Sequence, residues 1–333
     1  MDRKPLLLVL VLLLALSACN LPSRTLTPVT LPPPVGTTPP PPTNTAPVAL
    51  PPTRTSEPTN TPLVTAGPGG PTSTTQPGTG LTVDMLKNAT YHAPSYNRTV
   101  KLTNGTFTEG SPATYTVRML DLIGFGDMTG DGKNEAAVIL TENGGGSGVF
   151  VSLVIMEFKN GAPFQTGEAE LGDRPQVKSV DISQGVAHVD MLAVGPTDAS
   201  CCPSLPEKQN YWLFGTKLTL MRLTTTVSNT ERVIFIDEPA HWSTVNNPFT
   251  VSGSVTILPF ENTLGYQIFR TDGTKVNEGS LTVAPTSGTA GTFSKTFDLS
   301  SAGITDWVIV QFFDTSAADG SVIALNSVIL RAR

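Results

Sequence analysis

The chain has 333 residues, 39% of them hydrophobic, and a formal net charge of −6. Its 21 Lys and Arg residues form no cluster, so the sequence excludes the basic surface that nucleic acid or an anionic lipid surface would require. Cys201 and Cys202 are the only cysteines beyond the first twenty residues.

The first 18 residues have the layout of a secretory signal peptide. Arg3 and Lys4 precede an apolar run, Leu6–Leu16, which is too short for a membrane span. Small residues then lead to Cys19, and L16-S-A-C19 resembles the lipobox of bacterial lipoproteins. The resemblance implies that Cys19 carries a diacylglycerol and becomes the mature N-terminus. The alternative is an ordinary signal peptide with a chance cysteine, although free Cys is uncommon in exported chains.

A linker rich in proline and threonine follows, and residues 19–80 are predicted to form a disordered stalk. Residues 20–80 contain 17 Pro and 16 Thr, and they include no aromatic residue. Such a composition cannot build a hydrophobic core. Because proline fixes φ and removes a backbone donor, we expect polyproline segments joined by flexible stretches, which hold the folded part away from the membrane.

The next 147 residues, 81–227, are predicted to form a β-rich module. Turn signals separate short apolar runs that are rich in β-branched and aromatic residues. The runs are YTVRMLDLIGF, EAAVILT, VFVSLVIMEF, VAHVDMLAV and NYWLF, and the turn signals include N104-G105, N160-G161 and Q184-G185. Asn-Gly favours a type I′ hairpin because both positions tolerate positive φ. We predict an antiparallel meander, curled or sandwiched, with at most a short helix near 82–88.

An acidic loop, F125-G-D-M-T-G-D-G-K-N-E135, separates two of these predicted strands. The candidate calcium ligands are side-chain oxygens of Asp127, Thr129, Asp131 and Glu135 and the backbone carbonyl of Lys133. Calcium prefers six to eight oxygen ligands, which this spacing could bring together. The loop resembles the calcium loops of integrin-like propeller blades and related bacterial surface proteins. The alternative is an acidic hairpin turn held by hydrogen bonds from its own side chains to its backbone.

The segment D198-A-S-C-C-P-S204 leaves several interpretations open. Adjacent Cα atoms lie about 3.8 Å apart, less than the usual disulfide separation of about 4.4–6.8 Å, so a Cys201–Cys202 bond requires a distorted ring. An oxidising compartment nevertheless favours disulfides. The interpretations are a vicinal disulfide or buried pair that stiffens a loop, two inert thiols, or a redox or metal site. The last lacks a C-x-x-C pattern and further ligands.

The run from Gly126 through GDGKNEAAVIL and GGGSGVF to GPTDASCCP resembles an uncharacterised β-rich module of exported bacterial proteins, which implies no particular activity.

The remaining residues, 228–333, contain about seven short runs in which apolar and polar residues alternate with period two, which predicts an immunoglobulin-like sandwich. The segments PFTVSG (248–253), F260-E-N, D272-G273, G291-T-F293 and 314–321 resemble the Gmad2 family, the Ig-like domain of bacterial spore germination. This resemblance implies an envelope binding or assembly module without catalytic residues.

The sequence therefore predicts an all-β protein, exported and lipid-anchored to a bacterial membrane, facing outward from the cytoplasm. None of the three histidines lies in a recognisable catalytic motif, and no G-x-S-x-G nucleophile elbow occurs between a strand and a helix. We expect a non-enzymatic binding or scaffolding protein whose partners are the membrane, through the lipid, and an envelope protein or cell-wall glycan. The sequence establishes no cofactor, and the one candidate is Ca²⁺ at the acidic loop. The alternative is a metal-dependent hydrolase of an envelope polymer that uses the acidic loop.

Overall fold

A computed structural model describes residues 80–304 and 306–333 of the chain, which all fall in one compact unit. The predicted signal peptide, the lipid attachment at Cys19 and the stalk up to residue 79 lie outside the described residues. Most of the described part is β-strand and very little of it is helix, as the sequence predicted. None of its helices is long and apolar enough to cross a membrane.

The first part of the fold contains one short α-helix and eleven strands. They are α1 (Val83–Lys87), β1 (Thr90–Ala93), β2 (Arg98–Lys101), β3 (Thr106–Glu109), β4 (Tyr115–Gly126), β5 (Glu135–Asn143), β6 (Phe150–Lys159), β7 (Ala162–Asp173), β8 (Gln176–Ser183), β9 (Val186–Ala193), β10 (Leu205–Phe214) and β11 (Lys217–Val227). Helix α1 lies where the sequence allows a short helix, and the Thr82 hydroxyl caps it by accepting a hydrogen bond from the Met85 backbone N–H.

Two antiparallel meanders form this part, and their turns follow the predicted chemistry. One sheet has the order β3-β4-β5-β6-β7, and the other contains β11-β10-β9-β8, while β1 and β2 form a separate hairpin. Both residues of Asn104-Gly105, Asn160-Gly161 and Gln184-Gly185 have positive φ. The predicted meander and Asn-Gly turns are therefore confirmed.

The sheet β3–β7 is covered on both faces, so this part has two hydrophobic cores. Val138 and Leu140 pack toward α1, β1 and β2, in a core that includes Leu86 and Tyr91. Ile139 points the other way, into the core shared with β8–β11. Because successive side chains of a strand point to opposite faces, burial of both faces makes β5 apolar along most of its length.

The second part contains ten strands. They are β12 (Thr230–Arg232), β13 (Ile234–Glu238), β14 (Ser243–Val245), β15 (Phe249–Val255), β16 (Thr263–Arg270), β17 (Lys275–Thr282), β18 (Ala284–Pro285), β19 (Gly291–Phe297), β20 (Trp307–Thr315) and β21 (Val322–Ala332). One sheet has the order β13-β15-β19-β18, and the facing strands have the order β17-β16-β20-β21. A single core lies between them and includes Val251, Phe293, Phe297, Val310 and Phe312. The predicted immunoglobulin-like sandwich is confirmed.

One sheet runs from the second part into the first, because β21 pairs with β11 as well as with β20. Arg222 and Leu223 of β11 lie opposite Asn326 and Leu325 of β21. The Gln311 side-chain amide donates a hydrogen bond to the Leu220 carbonyl at 2.9 Å, which is a further contact between the two parts. The predicted boundary after residue 227 falls in the β11–β12 turn, and the division into separate domains stays a prediction.

Candidate functional site

The acidic loop connects β4 to β5 and is held closed by its own carboxylates. Asp127 accepts hydrogen bonds from the backbone N–H groups of Gly130 at 2.6 Å and Gly132 at 2.9 Å. Asp131 accepts one from the Lys133 N–H at 2.8 Å, and this bond lowers the pKa of Asp131. Gly130 and Gly132 have positive φ, which glycine adopts without strain. The loop thus shows the side-chain-to-backbone hydrogen bonds of an acidic turn.

Glu135, the last predicted calcium ligand, points into the protein. It is 3% exposed and accepts hydrogen bonds from the N–H groups of Met128 at 2.8 Å and Thr129 at 3.2 Å. Burial raises its pKa. The carboxylates do not converge: among residues 80–304 and 306–333, no three or more His, Cys, Asp or Glu side chains are placed to hold a metal. Calcium binding stays a prediction, and it requires the loop to exchange N–H contacts for metal contacts.

Two glycines bring the acidic loop close to the β8–β9 turn. A Cβ atom on Gly124 would lie 2.6 Å from the Asp181 Cα atom, and one on Gly126 would lie 2.4 Å from the Ile182 carbonyl oxygen. Only glycine therefore lets the end of β4 approach the backbone of β8 so closely. This approach places the loop beside the turn at Gln184-Gly185, where Gly185 faces the Met128 carbonyl.

All three tryptophans of the chain lie in one aromatic cluster near this turn. Trp212, on β10, stacks with Trp242 at a centroid distance of 5.6 Å and with His241 at 5.4 Å. Trp307, on β20, meets Trp242 edge to face at 5.3 Å. Aromatic pairs in such geometries contribute about 0.5–1.5 kcal/mol beyond their burial. The cluster joins a strand of the first part to a loop and a strand of the second.

Trp242 is exposed and has an unusual backbone. It is 52% exposed, although leaving the large apolar surface of a tryptophan in water is energetically unfavourable. Its φ is 65°, a left-handed conformation that is an outlier for a bulky residue and costs on the order of 1–3 kcal/mol. The N–H of Trp242 donates to the Ile329 carbonyl at 2.8 Å, which holds the residue in place. Strained backbone of this kind is typical of ligand sites.

A groove of about 470 Å³ lies between the acidic loop and the tryptophans. Asp127 and Thr129 line one wall, Gln184 lies at the turn, and Trp212 and Trp242 line the other wall. Gln184 and Trp212 also border a second hollow of about 430 Å³ that extends past Phe235. We call the two hollows together the tryptophan groove. Four separate loops or strand ends therefore meet at one concave surface, and both sizes suit a ligand pocket.

Further polar groups line the second hollow. His188 and Asn210, on neighbouring strands, are joined by a 3.0 Å hydrogen bond, and Arg222 and Asn326 lie farther along. His188 therefore has the role of a half-buried strand residue, as its alternating position indicates.

Three residues of the groove, Trp212, Trp242 and Gln184, were not identified as site residues from the sequence. The available signal was a tryptophan within a turn segment, Pro239-Ala-His-Trp242, where a buried core residue is not expected.

His92 lies outside the tryptophan groove, in a hydrogen-bonded group that the sequence did not reveal. Its Nδ1 lies 2.8 Å from the Glu168 carboxylate and its Nε2 lies 3.0 Å from the Asn97 side-chain oxygen. The hydrogen bond to Asn97 and then that to Glu168 raise the pKa of His92. Both ring nitrogens are thus engaged by fixed neighbours, and neither neighbour is a hydroxyl or thiol nucleophile.

Cys201 and Cys202 are both free and exposed, so the interpretation as a buried pair is wrong. A hydrogen bond with Cys201 raises the pKa of Cys202, which disfavours the reactive thiolate. Asp198 holds the loop instead: its carboxylate accepts from the N–H groups of Gly195 and Ser204, both at 2.8 Å. These bonds close the loop without a covalent bridge. The redox state of the two thiols in the exported protein stays a prediction.

Comparison with known proteins identifies the second part of the fold. No curated protein is significantly similar to the chain. CopC from Methylosinus trichosporium OB3b is a similar solved structure at 15% sequence identity and a TM-score of 0.21; the match covers 30% of this chain and 95% of that chain. A likeness of this degree supports no inference. Residues 233–321 match the family model Gmad2, the immunoglobulin-like domain of bacterial spore germination, and the C-terminal part of this chain is therefore a Gmad2 domain.

Proposed function

We propose that this chain is a lipid-anchored, non-enzymatic binding protein of the bacterial cell envelope. Cys19 carries the lipid, the Pro/Thr-rich stalk sets the distance from the membrane, and the tryptophan groove holds an envelope component. The Gmad2 domain contributes Trp242 to the groove, and the first part contributes Trp212 and the acidic loop. The protein is thus a tethered adhesion or scaffolding module.

The observation that carries this proposal is the exposure of Trp242 within a groove built from both parts of the fold. A strained, half-exposed tryptophan is costly to maintain for packing alone, since glycine would adopt this φ without strain. Binding a ligand over the ring recovers the apolar surface left in water. Exposed aromatic residues in a concave, water-filled surface are typical of binding sites.

The alternative function is a metal-dependent hydrolase that works through Asp127, Asp131 and Glu135. Two features of the acidic loop favour binding over hydrolysis. Its carboxylates already accept backbone hydrogen bonds, and Glu135 faces the interior of the protein rather than the groove. A hydrolase would release soluble fragments from purified envelope polymer in the presence of divalent cations, whereas a binding protein would leave the polymer intact.

The proposal is tested with the full chain in an exporting bacterium. Crosslinking of intact cells, followed by capture through a C-terminal tag, is expected to recover one envelope component with the wild type and much less with Trp242→Ala. Cys19→Ser is expected to release the protein from the membrane fraction. Phe164→Ala serves as the matched control, because Phe164 is 48% exposed on β7 and lies outside the groove. Equal recovery with Trp242→Ala and wild type would refute the proposed role of the groove.

A further inference from the structure

We propose that the ligand of the tryptophan groove is a neutral, extended polysaccharide. The inference rests on the proposed binding function and names the chemical class of the ligand. Its basis is a combination of exposed aromatic surface, hydrogen-bonding groups that are mostly uncharged, and an elongated shape within one groove.

The exposed ring of Trp242 forms the platform of the aromatic wall. It is 52% exposed and stacks on Trp212 with an interplanar angle of 21°, so the ring beneath it is nearly parallel and supports it. Phe235, on the far side of the second hollow, is 44% exposed and adds another aromatic surface. A pyranose ring presents a face of C–H groups, which packs on a flat aromatic surface and buries apolar area on both partners.

The opposite wall supplies groups that suit hydroxyls. Gln184 is exposed at the turn and offers both an amide donor and a carbonyl acceptor. Thr129 offers a hydroxyl, and Asp127 offers carboxylate lone pairs beyond the two that its loop N–H groups use. Farther along, Asn210 and Asn326 line the second hollow. A sugar hydroxyl both donates and accepts, so amides and hydroxyls at the edge of an aromatic platform complement it.

Charge and ring arrangement argue against ionic ligands. Asp127 in the first hollow and the formal net charge of −6 disfavour a polyanion, and Arg222 is the only Lys or Arg among the residues that line the two hollows. A quaternary ammonium ligand prefers several aromatic faces around one point. Here Trp212 and Trp242 stack on each other at 5.6 Å, which leaves no space for a cation between them.

The shape of the groove favours a polymer over a single sugar. The hollows of about 470 and 430 Å³ share Gln184 and Trp212, so an occupant can continue from one hollow into the next. Each end also opens to solvent near exposed residues, Thr129 in the first hollow and Phe235 in the second. A linear chain can therefore pass along the groove without needing a chain end.

Tryptophan fluorescence tests this inference directly, because all three tryptophans belong to the cluster. The full chain in detergent is titrated with cellohexaose and chitohexaose, with polyglutamate as polyanion and tetramethylammonium as cation. We expect a saturable change with at least one neutral hexasaccharide that raised salt does not weaken, and no response to either ion. Trp242→Ala is expected to weaken this affinity about tenfold, and Trp242→Phe to restore part of it. The Phe164→Ala control is expected to bind as the wild type does.

Calorimetric titration and the melting temperature of each variant complete the test. If Trp242→Ala lowers the melting temperature, Gln184→Asn carries the test, because Asn tolerates the left-handed backbone at this turn and shortens the amide. Sugar binding that survives both substitutions would overturn the inference. Preferential binding of polyglutamate or tetramethylammonium would also overturn it. Failure of both sugars to bind, with capture from cells still dependent on Trp242, would overturn the ligand class and leave the proposed function standing.

Discussion

Strand β5 in the first part and strand β19 in the Gmad2 domain bury their side chains differently. Six consecutive residues of β5, from Glu135 to Leu140, are buried. In β19, buried Phe293 and Phe297 alternate with exposed Ser294 and Thr296. The difference arises from layering, because β5 lies between two cores and β19 faces a single core. An unbroken apolar run in a strand of an antiparallel sheet therefore indicates that both faces of the sheet are covered. Alternation of apolar and polar residues indicates that one face is exposed to solvent.

The two parts also bury carboxylates differently. Glu142 in the first part is fully buried and accepts hydrogen bonds from the Ser95 N–H and the Tyr115 hydroxyl, which are neutral donors. Asp314 in the Gmad2 domain is 3% exposed and is paired with Arg232 at 2.5 Å. Within the described residues, the buried carboxylate of Glu142 in the first part is thus stabilised by neutral hydrogen-bond donors. The buried carboxylate of Asp314 in the second part is stabilised by the positive charge of Arg232.

The largest expected effect tests the layering. Ile139→Ala and Leu140→Ala are neighbouring substitutions on opposite faces of β5, and each is expected to lower the free energy of unfolding by about 2–5 kcal/mol. In β19, Phe293→Ala is expected to cost about 3–5 kcal/mol and Ser294→Ala less than about 0.5 kcal/mol. Urea unfolding measures all four. A small cost for either β5 variant would mean that one of the two cores is not well packed.

The ion pair gives the next largest effect. Arg232→Met leaves the Asp314 carboxylate buried without its partner and is expected to cost about 3–5 kcal/mol. Burial already raises the pKa of Asp314, and Arg232 opposes that rise. The control is the double variant Arg232→Met with Asp314→Leu, which removes both charges and should recover most of the loss. A double variant as unstable as the single one would show that the charge is not the cause.

Glu207 predicts a pH dependence that belongs to the first part. Burial raises its pKa from 4.5 to about 7, so the folded state keeps a proton that the unfolded state loses between these values. Stability is therefore expected to fall as pH rises from about 4.5 to 7, by about 3 kcal/mol from this group. Glu207→Gln should remove that fall, whereas Glu170→Gln, on the exposed side of β7, should not. Unfolding by urea at both pH limits provides the measurement.

The layering explains which strands could be predicted from the sequence. The runs in β5, β6, β20 and β21 are strongly apolar because each strand has a neighbour on both sides and at least one covered face. Strand β17 carries little of the hydrophobic pattern, because it lies at a sheet edge and only Leu281 among its residues is buried. The same holds for β8, where exposed and buried residues mix at the edge of its sheet. Edge strands carry less of the hydrophobic pattern on which such predictions depend.

The site was less predictable than the fold. The acidic loop could be located from its residue spacing, and its loop hydrogen bonds were one of the two alternatives. The tryptophan groove could not be derived, because Trp212 and Trp242 belong to different parts of the fold, which the β11–β21 pairing brings together. The local sequence around each residue does not predict such a long-range contact. The close approach at Gly124 and Gly126 is equally invisible until β8 is seen beside them.

The cysteine loop should respond weakly to loss of its thiols. Cys201→Ser with Cys202→Ser is expected to leave the melting temperature unchanged, because both side chains are exposed and unbridged. Asp198→Ala is expected to lower it, since three hydrogen bonds from Gly195 and Ser204 end on that carboxylate. Thiol titration of the denatured, unreduced protein should give both thiols as reactive. A titration that finds neither would establish the vicinal disulfide, and the double serine variant should then be less stable.

The smallest expected effect concerns calcium, and it bears on the groove as well as on the loop. Because Asp127 and Glu135 already accept backbone hydrogen bonds, the loop is expected to hold its shape without metal. Calcium would have to replace these N–H contacts in order to bind. We therefore expect the same melting temperature in millimolar Ca²⁺ and in EDTA. A higher value in Ca²⁺, abolished by Asp127→Asn, would instead establish the calcium site, because a ligand that binds only the folded state stabilises it. In that case calcium would neutralise the acidic wall of the groove, and sugar binding should become calcium-dependent.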